Sequence, residues 1–365
     1  METLKASLPV LGAAGGVLVG YFVIRYMAVP SVWHRGFVPL GFEEAMGTRL
    51  AVLARQMGQV MVPTLPDLSD AMPIVGLGWS ACAGAMVLIG CVVGFVWTRD
   101  KTVGWVCAFF AIALAPVLNL VPVPRFTSPH YGYLASFGLG MVVALMMDYL
   151  LSRILRVRWW VALGVCIWIV VASVSTYLGG KRFLNDKTLF GPAVAVDSGF
   201  LEGHQYLGDA AHRDGHVVLA EQHYLSALRF NPNTIAYVDW IAVSTRLAEI
   251  RLKQGQIKEA DRLLATAEKD ASGNVLQQIV YGRAIVLERL GDYKGIVERL
   301  AVFDWHDPAP MLLLARALAE TGQTQASVAQ LNKVLPLLDA KKQQQVNEMI
   351  SFLLRRHDNV SEIAK

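Results

Sequence analysis

Before Gly180 the chain runs through five long apolar stretches, and after Gly180 it has none. They are Leu8–Ile24, Ala71–Trp97, Thr102–Val123, Tyr131–Met147 and Trp159–Leu178. A helix needs about 20 mostly apolar residues to cross a bilayer, where every backbone polar group must find its partner within the segment. The first and fourth stretches fall short of that before a charge, at Arg25 and Asp148. Both charges stand at helix ends, where a side chain reaches the headgroups. The chain is 54% hydrophobic and only 17% charged over 365 residues, more apolar than an ordinary soluble protein. The expected architecture is therefore all-α. A polytopic transmembrane helix bundle occupies residues 1–178, a juxtamembrane bridge 179–200, and a polar domain 201–357.

A sixth segment, TRLAVLARQMGQVMVP (Thr48–Pro63), sets Arg49 and Arg55 on an otherwise apolar pattern. It reads as an amphipathic helix lying at the interface, with a sixth span inside the bundle as the alternative. The first apolar run is followed by Arg25-Tyr26 rather than a small-residue cleavage site, so it is expected to stay as an anchor. The short connectors TRDK (Arg99, Lys101) and SRILRVR (Arg153, Arg156, Arg158) fall on one side of an alternating five-span topology. The positive-inside rule makes that side the cytoplasm. The N-terminus is then cytoplasmic, and everything after Leu178 faces out, into the periplasm if the membrane is a bacterial inner membrane.

Cys82, Cys91, Cys107 and Cys166 all lie in the apolar runs, so they read as small hydrophobes rather than a disulfide framework or a metal cluster. The net charge of +4 is modest and the basic residues are interspersed with acids, which argues against nucleic acid as a partner. No phosphate-binding loop, dinucleotide turn, nucleophile elbow or zinc-protease motif occurs.

From Leu201 the polar half falls into a period of 34 residues, Leu201–Thr234. Leu207-Gly208, Gly215, Ala220, Tyr224, Ala227 and Pro232 match the tetratricopeptide pattern of paired helices. Gly208 and Ala220 let the two helices approach, and Gly215 supplies the turn, where a residue without Cβ tolerates positive φ. After a short insertion, Leu247-Ala248, Gly255, Ala260 and Ala267 mark a second copy. Ala284, Gly291, Ile296 and Pro308 mark a third, and Leu314-Ala315, Gly322 and Ser327 a fourth. Lys341–His357 reads as the polar cap that a stacked α-solenoid needs for solubility. Phe183–Asp197 reads as the helix that covers its start.

Such an array presents a groove lined by the first helix of each repeat. Glu202, Gln205, Asp209, Thr245, Glu249, Gln278 and Tyr281 are the candidates for that face, which suits a protein partner or an extended peptide. Four histidines gather in the first repeat: His204, His212, His216 and His223. His212 and His216 stand at the spacing of a shared metal ion, but Gly215 breaks the helix face between them, and no cysteine or acidic residue completes a site. No metal is expected.

The connector LNLVPVPRFTSPHYGYLASFG (Leu118–Gly138) is unusually polar for its surroundings, and its prolines end the incoming helix. Arg125 and His130, beside a helix beginning near Tyr131, suit a lipid phosphate. Tyr131 and Tyr133 equally suit an interfacial aromatic belt together with membrane lipids. Pro116…Asn119-Leu120…Pro122…Tyr131-x-Tyr133-Leu134-x-Ser136-x-Gly138 resembles the P-x-x-N-L…E-R-Y-L-Y-L-P-S-x-G signature of membrane glycosyltransferases. These are the GT-C type enzymes with C-terminal tetratricopeptide repeats, the transmembrane-and-tetratricopeptide O-mannosyltransferase group and its bacterial relatives. Tyr21…Arg25, Leu50…Pro63…Leu68-Ser69 and Asn185-Asp186…Leu189-Phe190 are similar to the flanking segments.

The resemblance implies a polyprenyl-phosphate-linked sugar donor and transfer outside the cytoplasm. It covers only the second half of that family's membrane domain, and Pro129-His130 replaces the family's acidic–arginine pair. The family's catalytic acid belongs to the half without a counterpart here. A transfer site needs a carboxylate to deprotonate the acceptor or hold a metal. The outward carboxylates before the repeats are Glu43, Glu44, Asp67, Asp70, Asp186 and Asp197, of which the adjacent Glu43-Glu44 pair is the candidate dyad. Three readings follow: a membrane-anchored scaffold that assembles with a separately encoded catalytic membrane subunit, an active protein O-glycosyltransferase, or a purely structural anchor for an extracytoplasmic complex.

Overall fold

The computed structural model describes residues 20, 23, 40–61, 68–69, 71–97, 101–114, 127, 132–153 and 158–363. The first apolar run, the TRDK connector, Asp67, Asp70, Arg125, His130 and Tyr131 lie outside them, apart from isolated positions. The described residues are overwhelmingly helical, and the strand content is one antiparallel pair of two-residue strands. They divide into two compact units, Met1–Asp239 and Trp240–Lys365.

In the first unit, α1 (Phe42–Met61), α2 (Trp79–Trp97), α3 (Lys101–Leu114), α4 (Gly132–Arg153) and α5 (Arg158–Gly180) carry the apolar runs. Ala71–Gly78, assigned by sequence to a span, is instead non-helical and contributes β1 (Met72–Pro73) before α2 begins. α1 starts earlier than the predicted Thr48; Phe42 at its start is exposed, while the apolar residues of its middle are covered by protein. Ala51, Val52, Leu53 and Met57 pack with Met72, Phe110, Ala113 and Ile235 in one core. α1 and α2 touch backbone to backbone, for a Cβ at Gly84 would come 1.9 Å from the Leu50 carbonyl oxygen. Close approach through small residues is the usual way apolar helices pack where burial of oil in oil gains little.

α5 runs through a 3-10 turn, Lys181–Leu184, to Asn185, whose extended backbone and capping box with Thr188 start α6 (Asp186–Val196). α7 (Leu201–Arg213) and α8 (Val217–Ala227) form a hairpin that turns at Gly215, φ +80°. Across the hairpin the Tyr224 ring lies on Gly208, where a Cβ would stand 2.6 Å from Tyr224 Cε1. Ala220, Tyr224 and Ala227 are fully buried. After α8 the chain forms β2 (Thr234–Ile235), which pairs with β1 in the register Met72↔Ile235 and Pro73↔Thr234.

The second unit is a row of hairpins: α9 (Trp240–Lys253) with α10 (Ile257–Glu268), α11 (Gly273–Leu290) with α12 (Tyr293–Leu300), and α13 (Pro308–Glu320) with α14 (Thr324–Val334). α15 (Ala340–Ile363) follows. Gly255, Gly291 and Gly322 turn them, all at positive φ. Five positions past each turn stand Ala260, Ile296 and Ser327, and nine past stand Leu264, Leu300 and Leu331, all buried. The turn glycines themselves are unevenly spaced. What recurs is the offset from the turn, because that offset fixes which side chains meet across a hairpin.

Candidate functional site

In the first unit a seam of polar contacts forms where α1, the segment before α2 and the stretches flanking the first hairpin meet. Arg55 on α1 donates to the carbonyls of Ser69 (2.8 Å) and Ala71 (2.9 Å). Thr48 accepts from the Val75 amide at 3.0 Å and donates back to its carbonyl at 3.2 Å. The buried Gln56 amide donates to the buried Thr127 hydroxyl at 2.9 Å, fastening the polar connector to α1. Ser69 donates to Asp197 at 2.5 Å, and Asp197 also accepts from the Gly199 amide at 2.9 Å. The Ile74 amide donates to the Asn233 carbonyl at 2.9 Å, extending the β1–β2 ladder, and Ile235 enters the core between the helices. These bonds hold three connectors together.

Beside the seam, His204 on α7 faces His223 on α8, Nδ1 to Nδ1 at 3.0 Å. One ring must donate and the other accept, so the contact needs a neutral imidazole on at least one side. Burial lowers the pKa of His204; the Ser198 carbonyl and Asp197 oppose that shift, while Arg229 adds to it. Burial and then His204 lower that of His223. His212 and His216 do not pair: His216 stands at the N-cap of α8, beyond the Gly215 turn. Among the described residues no group of three or more His, Cys, Asp or Glu is placed to hold a metal.

Glu43 and Glu44 are exposed in the first turn of α1, where negative charge suits the helix N-terminus. Glu44 accepts from the Gly41 amide at 3.1 Å, which makes it a cap. Tyr133 is 75% exposed on α4, its carbonyl bonded by the Ser136 hydroxyl.

The groove candidates divide between the units. Glu202 is buried, only 7% exposed. Asp209 accepts from the Tyr224 hydroxyl at 2.7 Å, holding the ring on Gly208, and Gln205 accepts from the Asp239 amide at 3.1 Å. In the second unit Thr245 donates to the Ile241 carbonyl of its own helix, Glu249 pairs with Arg246, Gln278 is exposed, and Tyr281 is partly packed into a core. Burial raises the Tyr281 pKa, helped by Asp307 and Glu288.

Sequence reasoning missed the charged clamp of the second unit. Arg283 on α11 binds Asp261 (3.0 Å) and Glu268 (2.5 Å) on α10, and Glu268 also takes Arg299 from α12 (3.0 Å). Burial alone would lower the Arg283 pKa; the bonds to the two carboxylates outweigh it and raise it.

Among the described residues one helical segment, Trp159–Leu184, is long and apolar enough to cross a membrane, and none of its most apolar stretch is buried. Comparison with known proteins adds no relative: no protein-family model matches the chain, and no curated protein matches it.

Proposed function

We propose that the chain is a membrane-anchored scaffold, a multi-pass helix bundle that carries a tetratricopeptide-type array outside the cytoplasm for a protein or extended peptide to dock on. The observation that carries it is the β1–β2 ladder. One strand comes from the connector before α2 and the other from the end of the first hairpin. In an alternating topology the connectors at Ser69–Val75, at Thr127 and after Leu178 share the outward side, and these are the segments that the seam joins. An apolar helix with no buried face suits lipid and not water. Its exposed ends carry Trp159 and Trp160 at one side and Tyr177 at the other, about 27 Å apart by helical rise, close to the hydrocarbon thickness. Lys181 stands 4.7 Å over the Tyr177 ring, as a cation at the headgroup level would.

The resemblance to the second half of GT-C type glycosyltransferases adds a partner to this reading: a separately encoded membrane subunit that supplies the catalytic carboxylate and uses a polyprenyl-phosphate-linked sugar. The chain is then a glycosyltransferase subunit or a non-catalytic relative, and Glu43 and Glu44 have no part in chemistry. A photo-crosslinking residue at the exposed position 278, introduced into the full chain in its own cells, tests the docking surface. Crosslinks to a protein that is lost when Tyr281 or Glu249 is replaced support it. A Gln278 position that crosslinks to nothing, with a chain that purifies alone and binds no polyprenyl phosphate, would overturn both the scaffold and the subunit.

A further inference from the structure

α6 has two faces of opposite character. One is packed on α7, where Phe190 stacks on Tyr206 at 4.5 Å and 7° and Ala193 is buried, with Val194 against Gly203. The helix's two charged residues also serve the hairpin, for Lys187 pairs with Asp214 at 2.5 Å and Asp186 with Arg213. The opposite face carries Thr188, Pro192, Ala195 and Val196, all exposed, with Val196 at 91% and no charge among them. It follows the exposed Phe183 and Leu184, the last residues of the apolar segment Trp159–Leu184, across the single extended residue Asn185.

We propose that this face of α6 lies on the outer leaflet, at the boundary of headgroups and acyl chains, so that the helix seats the first hairpin on the membrane. The inference rests on the reading that Trp159–Leu184 crosses the bilayer. Continuity selects lipid as the occupant: the charge-free face starts just past the point where an apolar, unburied helix leaves the membrane, with the 3-10 turn Lys181–Leu184 and Asn185 between them. A helix of 11 residues is about 16 Å long, so its whole length lies within reach of the surface it starts from. Amphipathic helices bind in the interface by burying their apolar face at the boundary of headgroups and acyl chains. Pro192 suits this face, since the bond it cannot donate would have gone to a carbonyl on the same exposed side, where headgroup water is at hand.

The test uses the unaltered full chain in vesicles of a phospholipid that carries a diazirine near the glycerol end of one acyl chain. After irradiation, lipid adducts are located by mass spectrometry. The proposal expects adducts on Phe183–Val196 at a level comparable to those on Trp159–Leu178, and several-fold above any on Val217–Phe230. Adducts on Trp159–Leu178 without adducts on Phe183–Val196 would overturn the seating of α6 and leave the span standing. Adducts on neither would overturn the membrane reading itself.

Discussion

Met72 pairs with Ile235 across a two-residue ladder, and both side chains sit in the same apolar core as Leu53 and Phe110. The ladder gives few backbone bonds, so its strength comes from the Ile235 side chain and from the Ser69–Asp197 bond nearby. Ile235→Ala should cost about 3 kcal/mol, as for other large-to-small changes in a core. Ser69→Ala should cost about 2 kcal/mol by leaving a partly buried carboxylate short of a donor. Protease susceptibility of the chain near Asn231–Asp239 in detergent reads both, and both variants should be cut faster there than the parent.

Gly84 offers a sharper packing test. A leucine at Gly84 would drive its Cβ into the Leu50 carbonyl, whereas a Cβ at Gly90 on the same helix meets nothing within 4 Å. Gly84→Leu should cost about 3 kcal/mol or more, and Gly90→Leu should be nearly neutral. The thermal midpoints of the two variants in one detergent separate them.

The His204–His223 contact makes the first hairpin sensitive to acid. Both folded pKa values lie below the ordinary value of 6.5. The unfolded chain therefore binds more protons as pH falls below that value, and the pair's contribution, complete above it, is lost as pH falls further through the folded values. Hydrogen exchange of Leu201–Ala227, corrected for the intrinsic rate, should show protection falling between pH 7 and pH 5. His223→Gln should flatten that dependence, because it removes one of the two imidazoles whose folded pKa is lowered, while His204 keeps the shift that burial and Arg229 give it.

Arg283 holds α10 to α11, with Glu268 reaching on to α12, while its side chain is only 13% exposed. Arg283→Ala should cost about 2 kcal/mol by stranding two carboxylates. Arg246→Ala, which loses only an exposed pair with Glu249, should fall within about 0.5 kcal/mol of the parent. Urea midpoints of the full chain compare them.

The helices and their turns were legible because each hairpin repeats a local code. A glycine at positive φ is followed, at fixed offsets, by residues small enough or apolar enough to meet the facing helix, as at Gly215, Ala220 and Tyr224. β2 begins at the last residue of the first copy and runs into the short insertion after it, but two residues of strand leave no alternating pattern to read. Arg55 looked like the polar edge of an interfacial helix because a guanidinium that bonds to distant carbonyls has the same local sequence as one that faces water. His204 and His223 lie on different helices, and Arg283 resembles any solvated charge until α10 is packed beside it. The carboxylates were legible as residues, but only the fold gives their use: Glu44 as a cap, Asp197 as an anchor.

On the proposed reading a multi-pass bundle holds the array outside the cytoplasm, and the orientation of Trp240–Lys365 tests it most directly. Protease added to cells with a permeabilised outer layer should release Trp240–Lys365 while the bundle stays in the membrane, and inverted vesicles should protect the same segment. Cleavage in inverted vesicles with protection in cells, or release of the whole chain from membranes by alkaline carbonate, would contradict it.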